Sequence, residues 1–292
     1  MANDKSFKIK NGLQATNYLQ TGGTETESSV GYSLSGLSYD NVSLSLSPPD
    51  NNIYGFAFKD DGTKLYTVGD QNDSVYQYTL STAYDISTAS YDNVSFSTAG
   101  TIPYGIFFKP DGTKMYVSQL GQDSVYQYSL STAWDLSTAS YDSVNVYLGG
   151  SDNAPLGAIF KPDGTKMYFV GNQIGRIYQY SLSTAWDLST ASNDGVSFNY
   201  PFSGTGISIQ LNPDGTKMYF LEQSAKTLYE IDLSTAYDLS TASYNGVNTY
   251  LIDTGMSSSM VPQVAIFNPS GSKLIAIGRR GGADRTARPV QK

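Results

Sequence analysis

A single turn, repeated five times, constrains this chain more than any other feature. It reads KDDGTK at 59–64, KPDGTK at 109–114 and 161–166, NPDGTK at 212–217 and NPSGSK at 268–273. The turn glycines, Gly62, Gly112, Gly164, Gly215 and Gly271, follow one another at 50, 52, 51 and 56 residues. A period of that length marks a repeat architecture, in which each unit buries its faces only against its neighbours. A second phrase returns between the turns: STAYDISTASYDNVSF (81–96), STAWDLSTASYDSVNV (131–146), STAWDLSTASNDGVSF (183–198) and STAYDLSTASYNGVNT (234–249). Five turns therefore accompany four such phrases. The missing one lies at the start, where GYSLSGLSYDNVSLSLS (31–47) matches the YQYSLS…SYDNVSF half of a unit with a shortened connection.

Each unit predicts four short strands. In the second, Tyr104–Phe108 is the inner strand, followed by Lys114–Ser118, Ser124–Leu130 and an outer Tyr141–Tyr147; β-branched and aromatic residues fill these runs, and Gly, Pro, Asp, Asn or Ser clusters bound them. Pro110 presets φ for the first hairpin, Asp111 can accept a local backbone bond and Gly112 can take positive φ. Four strands in about 50 residues is a propeller blade. The predicted fold is an all-β, five-bladed β-propeller of four-stranded antiparallel blades. Its ring is closed by N-terminal outer strands (from 31–47) pairing with C-terminal inner strands (Gln263–Phe267 and Leu274–Gly278), which removes exposed edges. An open array covered by a second chain is the competing arrangement. Blade-to-blade packing also explains the 24 tyrosines, whose rings can lie between blades while their hydroxyls reach a partner.

Composition narrows the chemistry. The chain has no cysteine and no histidine, which excludes disulfides, a thiolate nucleophile, His-bearing triads and ordinary zinc sites; no cofactor and no metal are expected. A net charge of −8 argues against nucleic acid, and the polar start and lack of a long apolar run argue against membrane insertion. Residues 279–292 hold four of the chain's five arginines and read as a flexible basic tail.

The FKPDGTKMYV…VYQYSL wording resembles WD40-like and YVTN-type propeller repeats over about residues 31–278, which implies the fold and leaves the activity open. KSFKIKNGLQATNYLQTGG, near the start, resembles the N-terminal segment of structural and tail-fibre proteins of marine bacteriophages. That resemblance implies a virion protein without catalytic activity, a tail fibre or similar appendage. Residues 1–24 would be a short β attachment segment contacting other virion and tail proteins, and a homotrimer is the assembly common among such fibres. Residues 25–30 would be a linker, 31–278 the propeller and 279–292 the tail. The alternatives are a secreted or surface carbohydrate-binding propeller of a marine bacterium, hence extracellular, and a glycoside hydrolase.

Repetition also sorts scaffold from candidate site. The Pro-Asp-Gly turns and STAWDLSTAS connections repeat almost verbatim and read as mechanical parts of one face. The loops of the other face vary, and variable polar loops round one mouth are where propellers bind. The expected rim comprises Asp50, Asn51, Asn52, Tyr54, Asp70, Asn72, Tyr104, Gln119, Asp123, Asp152, Asn153, Asn172, Phe202 and Glu222, whose amides, carboxylates and rings suit a host-surface glycan. The innermost strands, YGFAF, YGIFF, LGAIF, GISIQ and QVAIF, carry no carboxylate, so no catalytic pair of acids is expected there and the chain is read as not an enzyme.

Overall fold

The computed structural model describes residues 17–22, 32–35, 37–46, 49–201, 204–253, 256, 258 and 260–280. Two strands, β1 (Asn17–Gly22) and β2 (Tyr39–Ser45), precede the first full repeat. Four blades follow, each built from one continuous stretch. The first is β3 (Ile53–Phe58), β4 (Lys64–Gly69), β5 (Ser74–Leu80) and β6 (Ala89–Ser97), and the second is β7 (Pro103–Phe108), β8 (Lys114–Gln119), β9 (Ser124–Leu130) and β10 (Ala139–Tyr147). The third is β11 (Pro155–Phe160), β12 (Lys166–Gly171), β13 (Arg176–Leu182) and β14 (Ala191–Asn199), and the fourth is β15 (Gly206–Leu211), β16 (Lys217–Glu222), β17 (Thr227–Leu233) and β18 (Ala242–Tyr250). Every neighbouring pair is antiparallel. The protein is thus an all-β propeller of four-stranded antiparallel blades.

A further four-stranded sheet draws on both chain ends, in the order β19 (Met260–Phe267), β20 (Leu274–Arg280), β1, β2. Thr21 faces Ile275 across β1 and β20, and Val42 faces Thr21 across β2 and β1. Four blades are therefore self-contained, and the expected count of five depends on this composite sheet. Two details of the expected closure need correction. The third strand comes from Asn17–Gly22, expected in the attachment segment, and residues 32–35, 37 and 38 supply none. The reason is local: Ser33-Leu34-Ser35 is the counterpart of Asp85-Ile86-Ser87, not the end of a strand. Ser33 Oγ accepts the Ser35 N–H at 3.2 Å as Asp85 Oδ1 accepts that of Ser87 at 3.0 Å, and Leu34 and Ile86 are both buried. Arg279 and Arg280 end β20 and so do not start a tail; residues 281–292 and the linker at 25–30 lie outside the described residues.

Each repeated turn is locked by one aromatic. The N–H of Trp134 donates to Gly112 O at 3.0 Å, and Tyr84, Trp186, Tyr237 and Tyr32 do the same beneath Gly62, Gly164, Gly215 and Gly271. Gly112 has φ of 73°, and a Cβ there would lie 2.3 Å from the Trp134 ring, so both backbone and packing demand glycine. The plug also joins blades: Tyr116 Oη donates to Trp186 O at 2.7 Å, and Gln127 Oε1 accepts the Leu188 N–H at 2.9 Å. Aromatic packing fills the space between, with Tyr116 4.3 Å from Phe160 and Phe160 5.6 Å from Trp186 between ring centroids. At the centre the inner strands approach closely, since a Cβ on Gly55 would lie 2.6 Å from Tyr104 O.

Candidate functional site

The fold brings inner-strand starts and second-strand ends to the face of the variable loops. Two repeat positions there differ in chemistry from unit to unit. One reads Tyr54, Tyr104, Leu156, Ile207, Gln263, and the other Asp70, Leu120, Asn172, Gln223, Arg279. The Tyr54 and Tyr104 rings pack tilted at 33° with centroids 4.4 Å apart, and Tyr104 Oη donates to Gln263 Oε1 at 3.3 Å. Arg279 donates from Nη1 to Tyr54 Oη at 3.0 Å and lies 4.4 Å over the Tyr54 ring centroid. Asp70 faces the same hydroxyl. Burial pushes the Tyr54 hydroxyl above its ordinary range, with Arg279 opposing and Asp70 adding to the rise. Tyr104 is raised by burial as well. Asp70 Oδ1 and Arg279 Nε are buried and have no hydrogen-bond partner among the described residues. One unmet oxygen of an acid and one unmet N–H of a guanidinium beside a tyrosine hydroxyl can pair with a bound polar molecule, the usual resolution of such atoms.

On the opposite side of this cluster the axis is hollow. A cavity of about 520 Å³ has Tyr54, Tyr104, Leu156, Ile207 and Gln263 at one end and reaches the repeated turns at Asp60, Pro110, Pro162, Pro213 and Pro269. Its walls are inner-strand side chains, mostly apolar. The concavity therefore extends toward the face read from sequence as purely mechanical.

The expected rim divides under this geometry. Tyr54, Asp70 and Tyr104 belong to the axial cluster, and Asn51, Asn72 and Asn153 are exposed on the variable loops. Asn52 and Asn172 are half-buried. Asp123 is half-buried at φ of 49°, where its backbone N–H closes a turn onto Leu120 O. Three of the acids are not available to a ligand. Asp152 accepts the N–H groups of Ala154, Gln173 and Ile174 at 3.1, 3.0 and 2.9 Å. Glu222 accepts those of Ser224 and Ala225 at 2.8 and 2.7 Å, and Asp50 accepts that of Asn52 at 2.7 Å and the Tyr76 hydroxyl at 3.2 Å. All three are at most 2% exposed, and burial pushes the Asp50 carboxyl above its ordinary range. The physical reason is shared: a tight loop leaves backbone N–H groups without strand partners, and a buried carboxylate satisfies several at once. Gln119 is fully buried. Phe202 lies outside the described residues. Arg279, Gln223 and Gln263 were missed. Aligning the repeats by their second strands, KLYTVG-Asp70 on KLIAIG-Arg279, would have shown Arg279 as the counterpart of Asp70.

No family model matches the chain, and no curated protein matches it. Solved structures do resemble it. A putative 6-phosphogluconolactonase from Bacteroides uniformis superposes with a TM-score of 0.51 at 15% identity over 89% of this chain and 88% of its own. A putative 6-phosphogluconolactonase from Bacteroides fragilis gives 0.50 at 15% identity over 94% of both chains. A protein from Lactobacillus plantarum gives 0.51 at 14% identity over 91% of this chain and 76% of its own. At such identities the likeness establishes the propeller fold. It also overturns the expectation that the chain is not an enzyme, because the shared architecture is one carried by proteins described as putative 6-phosphogluconolactonases. The inner strands carry no acid, and Asp70 reaches the axial cluster from the end of the adjacent strand.

Proposed function

We propose that the axial cluster on the variable-loop face binds a polyhydroxylated sugar lactone and hydrolyses it. The carrying observation is the pair of buried, unmet polar atoms, Asp70 Oδ1 and Arg279 Nε, on either side of the Tyr54 hydroxyl. The neighbours described as putative lactonases support the reaction class. Asp70 takes a proton from water as the water oxygen bonds to the lactone carbonyl carbon. Arg279 stabilises the developing oxyanion. The acyl carbon–ring oxygen bond then breaks, the departing oxygen recovers the proton from Asp70, and a hydroxy acid leaves. Tyr104 and Gln263 face the sugar hydroxyls. The reading takes the composite sheet as a fifth blade closing the ring, because Arg279 enters the cluster from β20.

The test is the rate of glucono-δ-lactone loss, with and without a 6-phosphate, against the uncatalysed rate. Acceleration that falls about 100-fold in Asp70→Asn supports the proposal; a rate equal to the buffer alone overturns it. A place in a phage particle, with attachment through residues preceding β1, is a second part of the proposal. It is supported by the wording of KSFKIKNGLQATNYLQTGG. Imaging of virions labelled for this chain tests it, and absence from purified particles ends it.

A further inference from the structure

The cavity shares Tyr54, Tyr104 and Gln263 with the axial cluster at one end, but toward the repeated turns its walls break the repeat in a way the lactone reading does not use. At the mid-wall position the five units carry Ala57, Phe107, Ile159, Gln210 and Ile266, all lining the cavity. Gln210 is committed to the neighbouring sheet: its Nε2 donates to Phe267 O at 2.9 Å and its Oε1 accepts the Phe267 N–H at 2.6 Å. That leaves Ala57 as the one truncated apolar residue at this level, a notch in the first blade's wall. At the turn level the units carry Asp60, Pro110, Pro162, Pro213 and Pro269. The exception again belongs to the first blade.

Two departures on one wall, one removing volume and one adding charge, are not what turn mechanics require, since the other four turns use proline. The next residue, Asp61, is paired with Lys59 at 2.7 Å, as Asp111 is with Lys109 and Asp163 with Lys161. Asp60 is thus an acid added to turns that already balance their charge. Around it lie Phe58 and Tyr84, 5.4 Å apart between ring centroids, and both line the cavity. Aromatic faces beside a carboxylate attract an organic cation. The volume of about 520 Å³ is in the usual range of small-molecule pockets, about 300–1,000 Å³. We infer that this cavity is a second ligand site, taking a small organic cation whose apolar body fills the notch over Ala57 and whose ammonium group meets Asp60.

Trp134 lines the cavity and reports on it. Its fluorescence is to be titrated with benzyltrimethylammonium, benzyl alcohol and benzoate, which share a ring and differ in charge. The cation should bind most tightly and benzoate least. Asp60→Pro restores the turn of the sister blades and should weaken the cation about three- to tenfold while leaving benzyl alcohol unchanged. Ala57→Phe, the residue of the second blade, should abolish binding of all three, with Ala57→Ile as the substitute if that variant does not fold. Equal affinity for the three probes, cation binding unchanged in Asp60→Pro, or no saturable response to any probe overturns the inference. Lactone hydrolysis should survive Asp60→Pro, which separates this site from the axial cluster.

Discussion

The blade junction built on Gln127 makes a prediction that the fourth blade has already rehearsed. Gln127 is 4% exposed; its Nε2 donates to Asp142 Oδ2 at 2.8 Å while its Oε1 accepts the Leu188 N–H of the next blade at 2.9 Å. Asp142 also accepts from Ser129 at 2.9 Å and Lys114 at 3.1 Å. Its carboxyl lies below the ordinary range because these donors, Gln127 first, outweigh the effect of burial. In the fourth blade the same two positions hold Glu230 and Asn245, with Asn245 Nδ2 donating to Glu230 at 2.9 Å. The charge has changed sides and the bond remains. Gln127→Glu alone sets two carboxylates against each other at a buried junction and should cost about 2–4 kcal/mol, the loss of one charge-assisted bond plus an unpaired acceptor. For a chain of this size that lowers Tm by roughly 5–10 °C. Adding Asp142→Asn recreates the fourth blade's pair and should recover about 1–3 kcal/mol, all but about 1 kcal/mol of the loss. Urea unfolding followed by tryptophan emission measures both, since Trp186 sits at this junction. A single variant within 0.5 kcal/mol of the parent, or a double variant no more stable than the single, would refute the latch as described.

Three further outcomes are expected. Gln20→Cys with Ala276→Cys, facing residues of β1 and β20, should oxidise to an intramolecular disulfide in this cysteine-free chain; no bond under air oxidation would mean that β1 does not pair in this register. Gly112→Ala should destabilise by about 2 kcal/mol or more, because it adds positive-φ strain to a clash with Trp134, whereas Gly195→Ala should cost about 1 kcal/mol since only its φ of 70° resists. Acid should weaken the turns. Lys59 and Thr63 hold Asp61 down to about 2, and in Asp111 and Asp163 burial pushes upward but Lys109 and Lys161 with the following threonines prevail. The ionised forms are favoured in the fold, so their contribution is complete above about pH 4 and disappears as pH falls toward 2. Because these groups are largely exposed, the combined loss should be about 1 kcal/mol, seen as a falling urea midpoint that flattens in Asp111→Asn.

Most of the blade is readable from its own wording because turn chemistry is local. Pro110-Asp111-Gly112 specifies its hairpin without reference to the rest of the chain, and Ser124–Leu130 is a strand in the structure with the same bounds as in the sequence reading. The composite sheet was harder. Tyr32-Ser33-Leu34-Ser35 copies the letters of Tyr128-Ser129-Leu130-Ser131, but a Ser can replace Asp as the cap acceptor, and it is the cap of Asp85-Ile86-Ser87 that this segment makes. The candidate site was half legible for a related reason. Tyr54, Asp70 and Tyr104 stood out as departures from the repeat, whereas Asp50, Asp152 and Glu222 have the same look in the sequence and are spent on backbone N–H groups. Which acid serves a loop and which faces the axis depends on where the chain reverses, and that is a tertiary fact.

Several departures from repetition lie on β20 and the first blade. Tyr66, Tyr116, Tyr168 and Tyr219 each donate to the backbone carbonyl of the next plug. The equivalent position on β20 is Ile275, which has no donor to offer Tyr84. Gln77 stands opposite Tyr66 on the neighbouring strand, whereas Thr21 stands opposite Ile275. The plug of the first blade therefore receives no tyrosine hydroxyl from β20, where Ile275 and Ile277 pack with Phe56 and Ile86 instead. Arg279 reaches from β20 to Tyr54, and Asp60 and Ala57 lie on the blade beside it. Repetition supplies stability wherever neighbours are alike. Single departures such as Arg279, Asp60 and Ala57 are where chemistry that needs unlike neighbours can arise.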